Sequence, residues 1–316
     1  MGGLKIYPGL IDIHSHGAVG VDTMDCNLES VAKYQLAHGI TTYYPTTLTM
    51  SEEEIIAATE QKTDFEGGAY IPGFHIEGPF INVKRKGAQN EKYIAAPSLD
   101  VYKKYKRVKL ITVAPEIDGA MEFIRGCDAV VCIGHSDADY ETAKAAIKAG
   151  AKCLTHTFNA MAGIHHRDPA IIGAGADEGA YAQVISDGFH LHPATVRLLV
   201  KMFGKDKVVL ISDSILGTAA PDGVYMSGGV PTTITNGKSF TDYGAINGST
   251  TNLFDCVKCA ISFGIAEADA VKMATENPAR LMGLNKGVIA NGYDADFIFV
   301  DDDFTLKGVM LGGKMY

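Results

Sequence analysis

No run of apolar residues reaches the roughly 18 to 20 that a membrane-spanning helix requires, because charge or glycine interrupts each one first. The N-terminus lacks the basic-then-apolar pattern of a secretory leader. A soluble, cytoplasmic protein is the expectation. Cysteine is sparse: the six, at positions 26, 127, 132, 153, 256 and 259, are scattered through a chain too long to depend on a disulfide framework. They are read as reduced thiols. Cys256-Val-Lys-Cys259 has the spacing of half a zinc site but no second pair, so it reads as two small core-facing residues. Positive charge is in deficit, with a formal net charge of −9, which argues against non-specific nucleic-acid or anionic-membrane binding. An anionic substrate must then be held by local groups, a specific arginine among them. Finally, no Gly-x-Gly-x-x-Gly follows the first apolar run, so the fingerprint of an open dinucleotide-binding sheet is absent.

What is present is an alternation. Short apolar runs at 10–13, 41–46, 70–76, 108–114, 129–133, 153–155, 181–186 and 208–211 read as strands. Helical patterns fall between most of them, at 28–38, 51–63, 99–106, 119–126, 139–149 and 193–203. Eight strands joined in this way favour a closed (β/α)8 barrel, an α/β fold that runs to this length as one unit. Beyond it, 223–238 reads as a β-hairpin, 249–263 and 267–275 as helices, and the glycines around Gly173-Ala-Gly175 and Gly217 as turns or mobile covers.

Polar residues stand just past several of these apolar runs. Pro8-Gly-Leu-Ile-Asp-Ile-His-Ser-His-Gly17 ends in a His-x-His pair, and alternation along a strand puts His14 and His16 on one face, where they can share a metal. Glu77, His135, His156 and Asp213 follow the strands at 70–76, 129–133, 153–155 and 208–211. Taken singly, each has a plain structural explanation, a hydrogen-bonded core histidine or a helix-capping aspartate. Strand ends of a barrel meet at one face, however, so the six converge there as a metal-binding set.

With those residues in place, the sequence resembles the amidohydrolase superfamily, and more narrowly its N-acetylglucosamine-6-phosphate deacetylase branch. The matching motifs are the His14–His16 run, Phe74-His-Ile-Glu-Gly-Pro-Phe80 with Lys86-Gly87, Gly134-His-Ser136, His156-Thr-Phe-Asn-Ala-Met161, Ser186-Asp-Gly-Phe-His190 and Ser212-Asp213. The resemblance implies that Glu77, His135 and His156 hold the principal divalent metal and that Asp213 is the catalytic carboxylate. His14 and His16 leave room for a second ion. Zinc is the first choice, with iron, cobalt or manganese compatible with the same nitrogen and oxygen donors. A metal-bound hydroxide attacks the acetyl amide, with Asp213 as general base and then acid. Ala88, Gln89, Asn159, Ala160, Arg167, His190 and Ile246-Asn247-Gly248 are the implied substrate contacts, Arg167 for the phosphate. His165 and His166 have no matched role. A homodimer is implied as well.

Two departures stand out. Members of the branch usually read Lys-Gly-Ala-His where this chain has Lys86-Gly-Ala-Gln89. Glutamine can donate a hydrogen bond but carries no titratable proton. Members also usually begin with several tens of residues of β-strand, whereas seven residues precede the first motif here. The expected organisation is therefore a barrel over 8–285 beside a small, N-terminally truncated β-domain of 1–7 plus 286–316. Its C-terminal strands must pair with the N-terminal residues, with each other or with another subunit. Three alternatives stay open: an N-acetylgalactosamine-6-phosphate deacetylase, another amidohydrolase, and a catalytically silent metal-binding homologue.

Overall fold

The computed structural model describes residues 3–316. Eight strands, β1 (Leu10–Ser15), β2 (Ile40–Thr47), β3 (Phe74–Glu77), β4 (Val108–Val113), β5 (Val130–Ile133), β6 (Cys153–Leu154), β7 (Tyr181–Ile185) and β8 (Val208–Ile211), pair in parallel with their sequence neighbours. Successive parallel strands need a crossover, and helices supply most of them, as the alternation predicted. Their starts are written locally. Ser51 and Glu54 form a reciprocal capping box on Glu52–Glu60, and Asp139 accepts from Thr142 N at the head of Tyr140–Ala149.

Alternation sorts the strand side chains into two cores. Phe74, Ile76, Val131, Ile133, Leu154, Val184 and Leu210 face the helices, while Leu110, Cys132, Cys153, Ile185, Val209 and Ile211 fill the barrel interior. Ile11 and Ile13 also belong to the interior, which by strict alternation would turn His14 and His16 away from it. A register shift between Asp12 and Ser15, in the ladder to β2, is where the alternation slips.

The barrel closes between β1 and β8 without a regular ladder. Near the upper end Asp213 N donates to His14 O (3.0 Å), His16 N donates to Ser214 O (2.7 Å), and the Ser212 hydroxyl donates to buried Asp12. Lower down, a later segment fills the gap. Ile11 N donates to Ala274 O (2.8 Å), and buried Asn277 donates through Nδ2 to Val208 O and Lys205 O. Helix Glu276–Met282 follows, with Ala279 and Leu281 packed into the interior core.

The C-terminal strands Phe297–Val300, Leu306–Leu311 and Lys314–Met315 pair with each other, and Phe297–Val300 pairs antiparallel with Lys5–Pro8. Glu267 ties that first strand down, taking Lys5 Nζ at 3.0 Å and the Tyr7 hydroxyl.

Two expectations change. The 223–238 hairpin is a three-stranded sheet, Gly223–Ser227, Val230–Thr235 and Lys238–Thr241. The Gly173-Ala-Gly175 region is neither turn nor cover but a buried helix, Ala170–Asp177. Its glycines are there for space: a Cβ on Gly175 would lie 2.7 Å from Leu154 Cδ1, and one on Gly173 2.4 Å from Pro169 Cβ. Gly217 is packed in the same way, against Ile234.

Candidate metal centre and active site

The six polar residues singled out in sequence meet at the C-terminal end of the barrel strands. His135, His156 and Asp213 each follow the end of a strand with a left-handed backbone, φ 48°, 27° and 49°. That conformation is costly for residues other than glycine, and here it accompanies the inward turn of all three side chains.

Glu77 is the hub. Its Oε1 lies 3.2 Å from His14 Nε2, 3.3 Å from His135 Nε2 and 3.0 Å from His156 Nε2, and its Oε2 lies 3.2 Å from His16 Nε2. Asp213 Oδ1 stands 3.3 Å from both His14 Nε2 and His16 Nε2. Two triads of metal-capable atoms result, His14–His16–Glu77 and Glu77–His135–His156, sharing the one carboxylate. All six side chains are buried.

The far sides of the rings decide which nitrogen is available. His14 Nδ1 faces Gln183 Oε1 (3.0 Å), His16 Nδ1 faces Thr46 O (3.2 Å) and His135 Nδ1 faces Arg85 O (2.9 Å). Those partners only accept, so each Nδ1 carries the proton and each Nε2 offers a lone pair to the centre. Carboxylates this close attract either protons or a metal ion to the same nitrogens. Burial works to depress His16, but hydrogen bonds to Asp213 and Glu77 outweigh it and push the imidazole up to about 10. Burial likewise works to raise Asp213, and the neighbouring His14 and His16 overcome it, holding the carboxyl down at about 2. Four imidazole nitrogens converging on two carboxylates fit a divalent cation.

Above this centre lies a cleft of about 300 Å³. His16, Glu77, Gln89, His135, His156 and Asp213 line it, together with Ala88, Asn159, Ala160, His190 and the Ile246–Gly248 run. His14 is fully buried and joins only through Nε2. Arg167 is the exception among the expected contacts. It belongs to an exposed loop, its Nη1 faces His166 Nε2 at 2.7 Å, and it does not line the cleft. The same loop brings Asn159 and Ala160 to the cleft and leaves Arg167 outside it.

Some residues at the site escaped the sequence reading. Gln183 and Thr46 orient His14 and His16, and their only signal was a place on neighbouring strands. Leu48, Phe158 and Ala245 contribute apolar walls. Asp187, three residues before His190, bonds its Nδ1 at 2.7 Å, a pair already visible in the Ser186–His190 motif.

Comparison with known proteins follows this geometry. A model of the amidohydrolase family matches residues 6–316. An N-acetylglucosamine-6-phosphate deacetylase of Vibrio furnissii is 35% identical, covering 100% of this chain and 84% of that protein. An N-acetylgalactosamine-6-phosphate deacetylase of Escherichia coli O157:H7 is 32% identical, covering 98% and 87%. The solved structure of an N-acetyl-D-glucosamine-6-phosphate deacetylase mutant from Mycobacterium smegmatis, in complex with N-acetyl-D-glucosamine-6-phosphate, matches with a TM-score of 0.92. It is 29% identical, and the match covers 99% of this chain and 87% of that one.

Proposed function

Because the chain belongs to the amidohydrolase family, we propose that it hydrolyses N-acetylglucosamine-6-phosphate to glucosamine-6-phosphate and acetate. The observation that carries the reading is the Glu77 carboxylate shared by two pairs of imidazoles, with Asp213 beside it at the floor of a sugar-sized cleft. Glu77, His135 and His156 would hold one divalent ion, and His14, His16 and Glu77 a second. Zinc is the first choice, and iron, cobalt and manganese suit the same donors. Bound there, such an ion supplies an acidified water and a Lewis acid for the acetyl carbonyl.

The chain's own residues do the rest. Asp213, held ionised at neutral pH, accepts the proton of the attacking water at Oδ and returns it to the amide nitrogen, a poor leaving group until protonated. Its Oδ1 stands 3.3 Å from His14 Nε2 and His16 Nε2, beside the nitrogens that would hold the second ion. For the phosphate, the backbone N–H of Ala160 has no protein acceptor among the described residues and lies at the cleft, where His190 stands to meet a sugar group. Arg167 is kept as the proposed phosphate contact on the resemblance alone, since it does not line the cleft. A homodimer and a cytoplasmic setting belong to the same proposal, the homodimer resting on the resemblance. No helix among the described residues is long and apolar enough to cross a membrane.

Acetate release from N-acetylglucosamine-6-phosphate, its galactosamine epimer and unphosphorylated N-acetylglucosamine tests the reading, with bound metal counted in the same samples. The glucosamine phosphate should turn over fastest. Asp213→Asn should keep its metal and lose about 10²- to 10⁴-fold in kcat, the range of a lost general acid-base. Arg167→Ala should raise KM for the phosphorylated sugar alone. Equal hydrolysis of free and phosphorylated sugar, indifferent to Arg167→Ala, would defeat the assignment. The epimer is the second reading, favoured by the relative that acts on it.

A further inference from the structure

Gln89 stands where the resemblance puts a substrate contact, yet its side chain is already engaged at both ends. Its Nε2 donates to Glu77 Oε2 at 2.6 Å, and its Oε1 accepts from the backbone N–H of Thr49 at 2.7 Å. The Thr49 N–H can only donate, so it fixes the orientation of the amide: the oxygen faces Thr49 and the NH2 faces the carboxylate. Gln89 is itself buried, only 5% exposed. Thr49 is anchored in turn, its hydroxyl donating to Glu77 O at 3.3 Å, so the amide is held on the same strand end it serves.

We propose that Gln89 is a positioning residue for metal capture: it holds Glu77 so that one oxygen faces His14, His135 and His156 while the other faces His16. The inference rests on the metal-centre reading above and gives that centre a determinant outside its ligands. Three properties of the residue serve the role. An amide is uncharged, so it adds no repulsion toward a cation. It is a donor at every working pH, so Glu77 keeps its orientation regardless of protonation nearby. A carboxylate oxygen has room for a hydrogen bond as well as a metal, so the Gln89 bond and coordination coexist on Oε2. Partners that orient a ligand in this way typically change metal affinity by about 10- to 100-fold when removed.

The test is metal affinity, measured without substrate. Apo-protein and its Gln89→Met and Gln89→Asn variants are titrated with zinc against a chromophoric chelator, and with cobalt by its visible spectrum. Gln89→Met preserves volume and removes both hydrogen bonds. Gln89→Asn keeps the amide but is one methylene too short to reach Thr49 and Glu77 together, and it carries the test should the methionine variant misfold. Both should bind zinc about 10- to 100-fold more weakly and alter the cobalt spectrum. Wild-type affinity and spectrum with a severalfold rise in KM would return Gln89 to the substrate, and wild-type values throughout would make it a filler; either overturns the proposal. Because affinity and spectrum need no turnover, they stand apart from whether the sugar phosphate is the substrate.

Discussion

Beside the cleft, His190 leans on a carboxylate three residues earlier, and the pair responds to pH in a defined sense. Burial works to lower His190 and to raise Asp187, and the bond between them outweighs it in both, so the imidazole pKa is raised and the carboxyl pKa is lowered. Asp213 adds a smaller upward push to His190. A raised imidazole stabilises the fold fully below its ordinary pKa of about 6.5, and that contribution fades as pH climbs through the raised value. A depressed carboxyl contributes above its ordinary value of about 3.9 and fades as pH falls through the lowered one. Asp187→Asn should therefore melt lower than wild type by about 1–2 °C near pH 6, the shift that 1 kcal/mol produces in a chain of this length, with the gap closing toward alkaline pH. Melting curves at several pH values check it, and a gap independent of pH would mean that charge plays no part. Residues of this kind differ in how far sequence exposes them. Glu77, His135, His156 and Asp213 were legible because each follows an apolar strand and barrel strand ends converge. The partner of Gln89 was not legible, since twelve residues and two turns separate it from Glu77.

At the level of elements, the eight strands were readable because apolar runs alternate with amphipathic segments along most of the barrel. Helix Ala170–Asp177 was hidden by its own packing. Two glycines in three residues look like a turn, and only their distances from Leu154 and Pro169 show that they make room for a close approach. The facing of His14 and His16 was predicted by simple alternation, yet it depends on an irregularity between Asp12 and Ser15 that no periodicity encodes. A prediction follows from the helix. In an open helix, glycine to alanine stabilises by about 0.8–1 kcal/mol. Gly175→Ala should do the opposite and destabilise by about 1–3 kcal/mol, since its Cβ would meet Leu154 at 2.7 Å and Phe203 at 3.3 Å in a close-packed core. Urea denaturation reads the sign directly, and a stabilised variant would show that the core yields.

Across the whole molecule, the net charge of −9 and the buried centre belong together: an overall field that repels anions leaves phosphate recognition to a few local donors. Lys5–Pro8 lies against Phe297–Val300, so the C-terminal sheet takes one strand from the stretch that precedes the barrel. The seam between β1 and β8 has a consequence for how the protein is made. A ribosome delivers every barrel strand before it delivers Ala274 and Asn277, the residues that fill the seam. For about sixty further residues, several seconds at about 5–20 residues per second, the nascent chain holds a full set of strands whose seam can be joined only near its upper end. Chains released at residue 270 should be cut rapidly by protease and chains released at residue 290 should resist; equal resistance would mean that the edges meet unaided. The barrel is thus finished from its far end, and its first strand is among the last to be secured.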